Sequence, residues 1–306
     1  MRLSRSRYAV GLALVLALAT AGCSSPQATP SSSASVSGGT PSATASSSTT
    51  PSAAKPGAYV ALGDSLAAGF QPGSGDLRES SYPALAASRL GALGSPLTLT
   101  NLACSGETTT SLTKGGRCEF PEGNQLAAAE AAIRAAGSDL RLVTIDIGGN
   151  DLLFCARGGK VDQACTVTGR KTVDANLPGI LTRLRAAAGD KAQIIVLGYY
   201  NPWLAATIRS GSGVDAGASA AVVADLNARI AKHAKAAGVS YLSLDETFNA
   251  TDTTPTTVQG KQLPANVAAI CELTYACTFG DVHLTDEGAV RVAGTIVKAV
   301  QAAASP

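Results

Sequence analysis

Residues 59–70 read YVALGDSLAAGF. Tyr59 to Leu62 is a short apolar run of the kind that forms a buried strand. Gly63, Asp64 and Ser65 interrupt it, and Leu66-Ala67-Ala68 leads to a second glycine, Gly69. A serine at a strand tip between glycines has two readings. It is a turn residue, since Gly, Asp and Ser all suit tight turns. Or it is a nucleophile entering a helix, its own N–H among the donors a helix start leaves unpaired. The rest of the sequence decides between them.

The pattern beyond this stretch alternates. Short apolar runs recur at 59–62, 97–102, 141–147, 193–199 and 239–244, among them RLVTIDI at 141–147 and QIIVLGYY at 193–200. Continuous runs of this length suit parallel strands buried on both faces. Ala- and Leu-rich stretches with helical spacing lie near 82–93, 123–137, 174–189 and 216–237, and a last one at 286–303. Alternation of strand and helix predicts one α/β domain over 58–306, with a central parallel sheet of about five strands covered on both sides.

The chain has 306 residues, 45% of them apolar and 15% charged, with a formal charge of +2. Arg2, Arg5 and Arg7 precede AVGLALVLALATA at 9–21, a charged start and an apolar stretch of secretory-signal type. It is short of the ~20 apolar residues that span a bilayer. Without those three arginines the balance is 21 basic against 22 acidic residues. That gives no electrostatic reason to expect a nucleic-acid partner. TAGC at 20–23 resembles the lipobox of bacterial lipoproteins, although Thr20 is less usual there than leucine. The resemblance implies a signal peptide at 1–22, a lipidated Cys23 and a membrane partner reached through that lipid. An ordinary cleavage site with a chance cysteine is the alternative. Residues 24–57 are Ser, Thr, Ala, Pro and Gly almost throughout, with Lys55 the one charge. They cannot bury enough area to offset ordering, so 23–57 reads as an anchor followed by a disordered tether.

Six cysteines remain after Cys23, an even number that in an exported chain reads as disulfides. They fall into three local pairs, Cys104–Cys118, Cys155–Cys165 and Cys271–Cys277. Metal binding is the rival, but there is no C-x-x-C pair, and the histidines number two, His233 and His283. No metal and no cofactor are expected.

In an open parallel sheet the site lies at the carboxyl ends of the strands. The exits read GDSL (63–66), NLACSGETT (101–109), IGGNDLL (147–153) and YYNPW (199–203), and the loop FGDVHLTDEG (279–288) precedes the last helix. A serine hydrolase needs a hydroxyl, a base and donors for the developing oxyanion. Ser65 supplies the hydroxyl and an N–H. Gly106 has no side chain to shield its N–H, and Asn150 carries a donating amide. His283 stands just before Thr285, a plausible N-cap for the last helix. His233, in the basic helix end RIAKHAKAAG, is expected to be a solvated side chain. Asp64 and Asp151 are expected to hold loops. Phe70, Phe154 and Trp203 are candidates for an acyl pocket or, more simply, for core packing.

Each motif alone is weak; together, in this order, they resemble the SGNH, or GDSL, hydrolase family. The likeness runs through residues 58–306 and rests on GDS, NLACSGETT, GGND and DVHLTDEG. The cysteine pairs and CSGETT resemble its disulfide-bearing actinobacterial lipases and esterases. The resemblance implies a three-layer α/β/α, flavodoxin-like fold and cofactor-free hydrolysis of carboxylic esters through an acyl-enzyme. It implies Ser65 as nucleophile, His283 as base, and an oxyanion hole from the Ser65 N–H, the Gly106 N–H and the Asn150 side chain. The family's aspartate stands three residues before the histidine. Here that position is Gly280, and Asp281 lies two before. Either Asp281 completes a triad, or a backbone carbonyl holds the imidazole in a Ser–His dyad. The expected partner is an ester substrate, and the exported enzyme is expected to act as a monomer. Acyl transfer to another acceptor, deacetylation of a polysaccharide, and silent ligand binding are the competing functions.

Overall fold

A computed structural model of the chain describes residues 55–157, 160–205, 208, 216–258 and 260–304. The expected signal segment, Cys23 and the tether up to residue 54 lie outside the described residues. Five strands form the central sheet: β1 Gly57–Gly63, β2 Leu97–Asn101, β3 Leu140–Asp146, β4 Gln193–Leu197 and β5 Ser240–Leu242. All pair in parallel, in the order β2-β1-β3-β4-β5. This is the flavodoxin-like order, and it makes the β1/β3 boundary the topological switch point where ligands bind.

The strands are apolar throughout because both faces are covered. Tyr59 and Ala61 of β1 pack with helices α2 (Tyr82–Ala92), α7 (Ala265–Leu273) and α8 (Asp286–Ala304). Their neighbours Val60 and Leu62 pack the other way, against α3 (Thr109–Lys114), α4 (Gln125–Ala136), α5 (Gln163–Ala188) and α6 (Ala216–Ala236). The period-2 alternation of strand side chains thus splits one strand between two cores. α1 (Ser65–Ala68) is a single turn at the end of β1.

Three differences from the sequence reading have physical causes. β4 stops at Leu197 because the Asn227 side chain takes over Tyr199, accepting its N–H at 2.8 Å and donating to its carbonyl at 2.8 Å. α5 begins at Gln163, eleven residues before the expected start. Its first half is polar because it faces outward, and Asp162 caps it through the Cys165 N–H. Finally, three short hairpins lie at 70–76, 156–161 and 255–264, where the sequence shows none; strands of two to four residues leave no period to read.

Disulfides join Cys104 to Cys118, Cys155 to Cys165 and Cys271 to Cys277. Each sits beside a loop at the carboxyl end of the sheet, where the chain has least regular hydrogen bonding to hold it.

Candidate active site

The chain leaves β1 through Gly63, whose φ of +136° excludes a side chain; a Cβ there would lie 1.8 Å from Asp146 Oδ1. Asp64 then caps α1, accepting the Leu66 N–H at 2.9 Å, and Ser65 follows as the first helical residue. The second exit turns at Gly106, with φ +78°, two residues after Cys104. Among the described residues neither the Ser65 nor the Gly106 N–H makes a hydrogen bond. Asn150, at the third exit, donates to the Glu107 carbonyl at 2.9 Å, which fixes its amide beside the Gly106 loop and leaves its second N–H. Asp151 ties the same two exits, accepting the Thr109 N–H at 2.9 Å and hydroxyl at 2.8 Å.

His283 stands on the loop before α8, whose first turn is capped by the Thr285 hydroxyl. Its Nδ1 lies 2.5 Å from Asp281 Oδ1, and the same oxygen accepts the His283 N–H at 2.9 Å. Gly280, at φ +70°, turns the chain just before. The group facing Nδ1 is thus a carboxylate and not a backbone carbonyl. No hydrogen bond joins His283 to Ser65 among the described residues; such bonds are commonly long until substrate binds. The Phe70 ring lies over the imidazole, with centroids 4.3 Å apart and planes at 41°.

Beneath the serine lies a cluster of buried polar groups that the sequence reading missed. Asp146, at the end of β3, accepts the Asp64 N–H at 3.0 Å, while Asp64 Oδ2 accepts the Tyr199 hydroxyl at 2.7 Å. Gln125 clasps Gly63 by both backbone groups, at 2.7 and 3.0 Å, and reaches Glu107 at 3.3 Å. Burial pushes Asp64 up to about 6, against the Leu66 N–H, the Tyr199 hydroxyl and the His283 charge, which pull it down. Burial, and then the Asp64 carboxylate, push Asp146 well above the usual range. The Tyr82 hydroxyl, buried beside Asp146, pulls in the opposite direction, although it and Asp146 Oδ2 do not reach hydrogen-bond geometry. The signal was an acidic residue inside an otherwise apolar strand.

Two expectations need correction. His233 is not free in solvent: its Nε2 lies 2.8 Å from Asp174 Oδ1, in a cluster with Arg229 and Asp225 on the outer faces of α5 and α6. Core packing fails for Phe154, which is 60% exposed. Phe70 packs on His283, and Trp203 lines a narrow apolar slot with Leu66, Leu152, Val222 and Leu226. Ser65 and Asn150 line the same slot. The slot is mostly apolar, with a few polar groups in its lining, the make-up expected of a small-molecule site. Among the described residues no group of His, Cys, Asp and Glu is placed to hold a metal ion.

Residues 61–291 match the GDSL-like Lipase/Acylhydrolase family. No curated protein matches the sequence. Among solved structures, the extracellular lipase of Streptomyces rimosus is 26% identical, with a TM-score of 0.54 covering 81% of this chain and 100% of that one. Phospholipase A1 of Streptomyces albidoflavus is 22% identical (TM-score 0.47, covering 82% and 100%). TesA is 16% identical (TM-score 0.50, covering 80% and 98%) and shares the fold. With the family match spanning most of the folded domain, the chain belongs to the GDSL-like lipase/acylhydrolase family and is a carboxylic ester hydrolase.

Proposed function

We propose that Ser65 is the nucleophile, His283 its base, and Asp281 the group that orients the base. The Ser65 N–H, the Gly106 N–H and the free Asn150 N–H form the oxyanion hole. The observation that carries this reading is the shared slot: Ser65 and Asn150 line the same apolar cavity. His283 takes the proton from Ser65 Oγ as Oγ attacks the ester carbonyl. The tetrahedral oxyanion collapses, the alcohol leaves with the proton from His283, and an acyl-serine remains. Water, deprotonated by His283, repeats the sequence and frees the acid. Asp281 fixes the tautomer that leaves Nε2 as the accepting nitrogen. Ser65→Ala should abolish hydrolysis of p-nitrophenyl esters with the fold intact, and a fluorophosphonate should label Ser65 alone. Labelling elsewhere, or wild-type turnover by the variant, overturns the assignment.

The slot favours an ester with an apolar acyl chain over an acetylated sugar, because Leu66, Leu152, Val222 and Leu226 offer such a chain apolar area to bury. That agrees with the lipase named in the Streptomyces rimosus comparison. We further infer that the enzyme is exported and lipid-anchored at Cys23, in the manner of the bacterial lipoproteins whose lipobox TAGC resembles. Three disulfides suit an oxidising compartment. Residues 1–22 are then a cleaved signal, 23–57 an anchor and tether, and 58–306 the hydrolase. Cys23→Ala should move the activity from the membrane fraction to the medium; activity that stays with the membrane refutes the anchor.

A further inference from the structure

The base and the nucleophile arrive on parts of the chain that the sheet does not connect. Ser65 follows β1 directly, whereas His283 stands on a loop between α7 and α8 that carries no sheet strand. Something other than the ladder must set one against the other. The Tyr200 hydroxyl, just past β4, donates to the Val282 carbonyl, and the hairpin 70–76, which continues from the serine turn, links the loop to the serine side. Its Phe70 ring covers the His283 imidazole at 4.3 Å. Its Gln71 side chain donates to the Leu284 carbonyl at 3.2 Å and accepts the Tyr275 hydroxyl at 2.5 Å, so it grips the histidine loop on both sides. At its far end Asp76 accepts the Ser105 hydroxyl, and just beyond it Arg78 donates to the Ala103 carbonyl at 2.7 Å. One short hairpin thus touches the loop of Gly106 and the loop of His283 while emerging from Ser65.

Resting on the assignment of Ser65 and His283 above, we propose that Phe70 and Gln71 are positioning residues that hold the His283 ring in line with Ser65 Oγ. Phe70 blocks rotation of the ring to one side. Its π face also attracts the imidazolium that forms in the transition state, an interaction the neutral ground state lacks. Gln71 sets the height of the loop. The loss of either should therefore fall on kcat more than on KM, since neither side chain lines the slot.

The test uses Phe70→Ala, Phe70→Leu, Phe70→Tyr and Gln71→Leu in the full chain, with p-nitrophenyl esters. We expect kcat to fall about tenfold to a hundredfold in the Ala, Leu and Gln71→Leu variants, with KM within about threefold, because a misplacement of about 1 Å can cost ~10²-fold. Phe70→Tyr, which keeps the ring face, should remain within about threefold of wild type. Phe70→Leu keeps an apolar cover, so it carries the test if Phe70→Ala does not fold. A kcat within about threefold of wild type in Phe70→Leu, a loss confined to KM, or a loss that Phe70→Tyr shares overturns the proposal. Fluorophosphonate labelling of the wild type separates the two levels. An unlabelled Ser65 removes the assignment beneath, whereas a labelled Ser65 with undisturbed Phe70 and Gln71 variants removes the hairpin's role alone.

Discussion

Replacing Asp64 by Asn should make the protein more stable at neutral pH, by an amount that depends on pH in a defined way. Asp64 is 2% exposed, and its carboxyl is pushed from 3.8 up to about 6 chiefly by burial. Below pH 3.8 the group is protonated whether the chain is folded or not, and it makes no difference. Between 3.8 and about 6 the unfolded chain releases the proton and the folded chain keeps it, so stability falls as pH rises. Above about 6 the fall is complete, at about 3 kcal/mol for a shift of this size. The substituted asparagine has no proton to lose. Its oxygen can still accept the Leu66 N–H, and its amide can donate to Tyr199. The difference between variant and wild type should therefore grow by about 3 kcal/mol from about pH 4 to about pH 7, or about 6–12 °C in Tm for a domain of this size. Calorimetry across that pH range measures it, and the subtraction removes carboxylates with the opposite dependence, such as Glu130, held below its usual range by Arg183. Parallel Tm curves for the two proteins would refute the reasoning, because they would mean that burial does not hold back the ionisation of Asp64.

Two further perturbations test the site. Asp281→Asn removes the charge 2.5 Å from His283 Nδ1 and should lower kcat by as much as ~10⁴, with KM little changed; a variant within about tenfold of wild type would show that the backbone suffices to orient the ring. Val222→Trp fills the slot from α6 and should shift the preference from decanoyl to acetyl esters by at least about tenfold. An unchanged chain-length profile would place the acyl group elsewhere.

The layered fold was legible because burial on both faces makes strands such as QIIVLGYY uniformly apolar, and no solvated sheet reads that way. The candidate residues at the strand exits stand out in the sequence because glycine, serine and asparagine at the end of an apolar run are costly unless a turn or a site needs them. What escaped the sequence were interactions between distant side chains. Asp146 looks like a flaw in RLVTIDI until Asp64, from another strand's exit, brings its N–H to it. Phe70 reads as one more core aromatic, and only the folded chain sets it over His283. His233 sits in a basic stretch and so reads as solvated; its partner Asp174 comes from a different helix. Asp281 has a local signal, since it precedes His283 by two residues, but spacing alone does not say whether its carboxylate or a carbonyl reaches the ring.

The order in which the chain is made gives the separation of Ser65 and His283 a meaning in time. More than two hundred residues lie between them. At about 5–20 residues per second the ribosome needs roughly 10–40 s to go from one to the other. On the assignment proposed above, the nucleophile exists during that interval without its base. On that assignment a nascent chain, or one cut short anywhere before His283, is chemically idle. The linear order of the polypeptide then acts as a delay fuse on the esterase, set by nothing more than the time its synthesis takes.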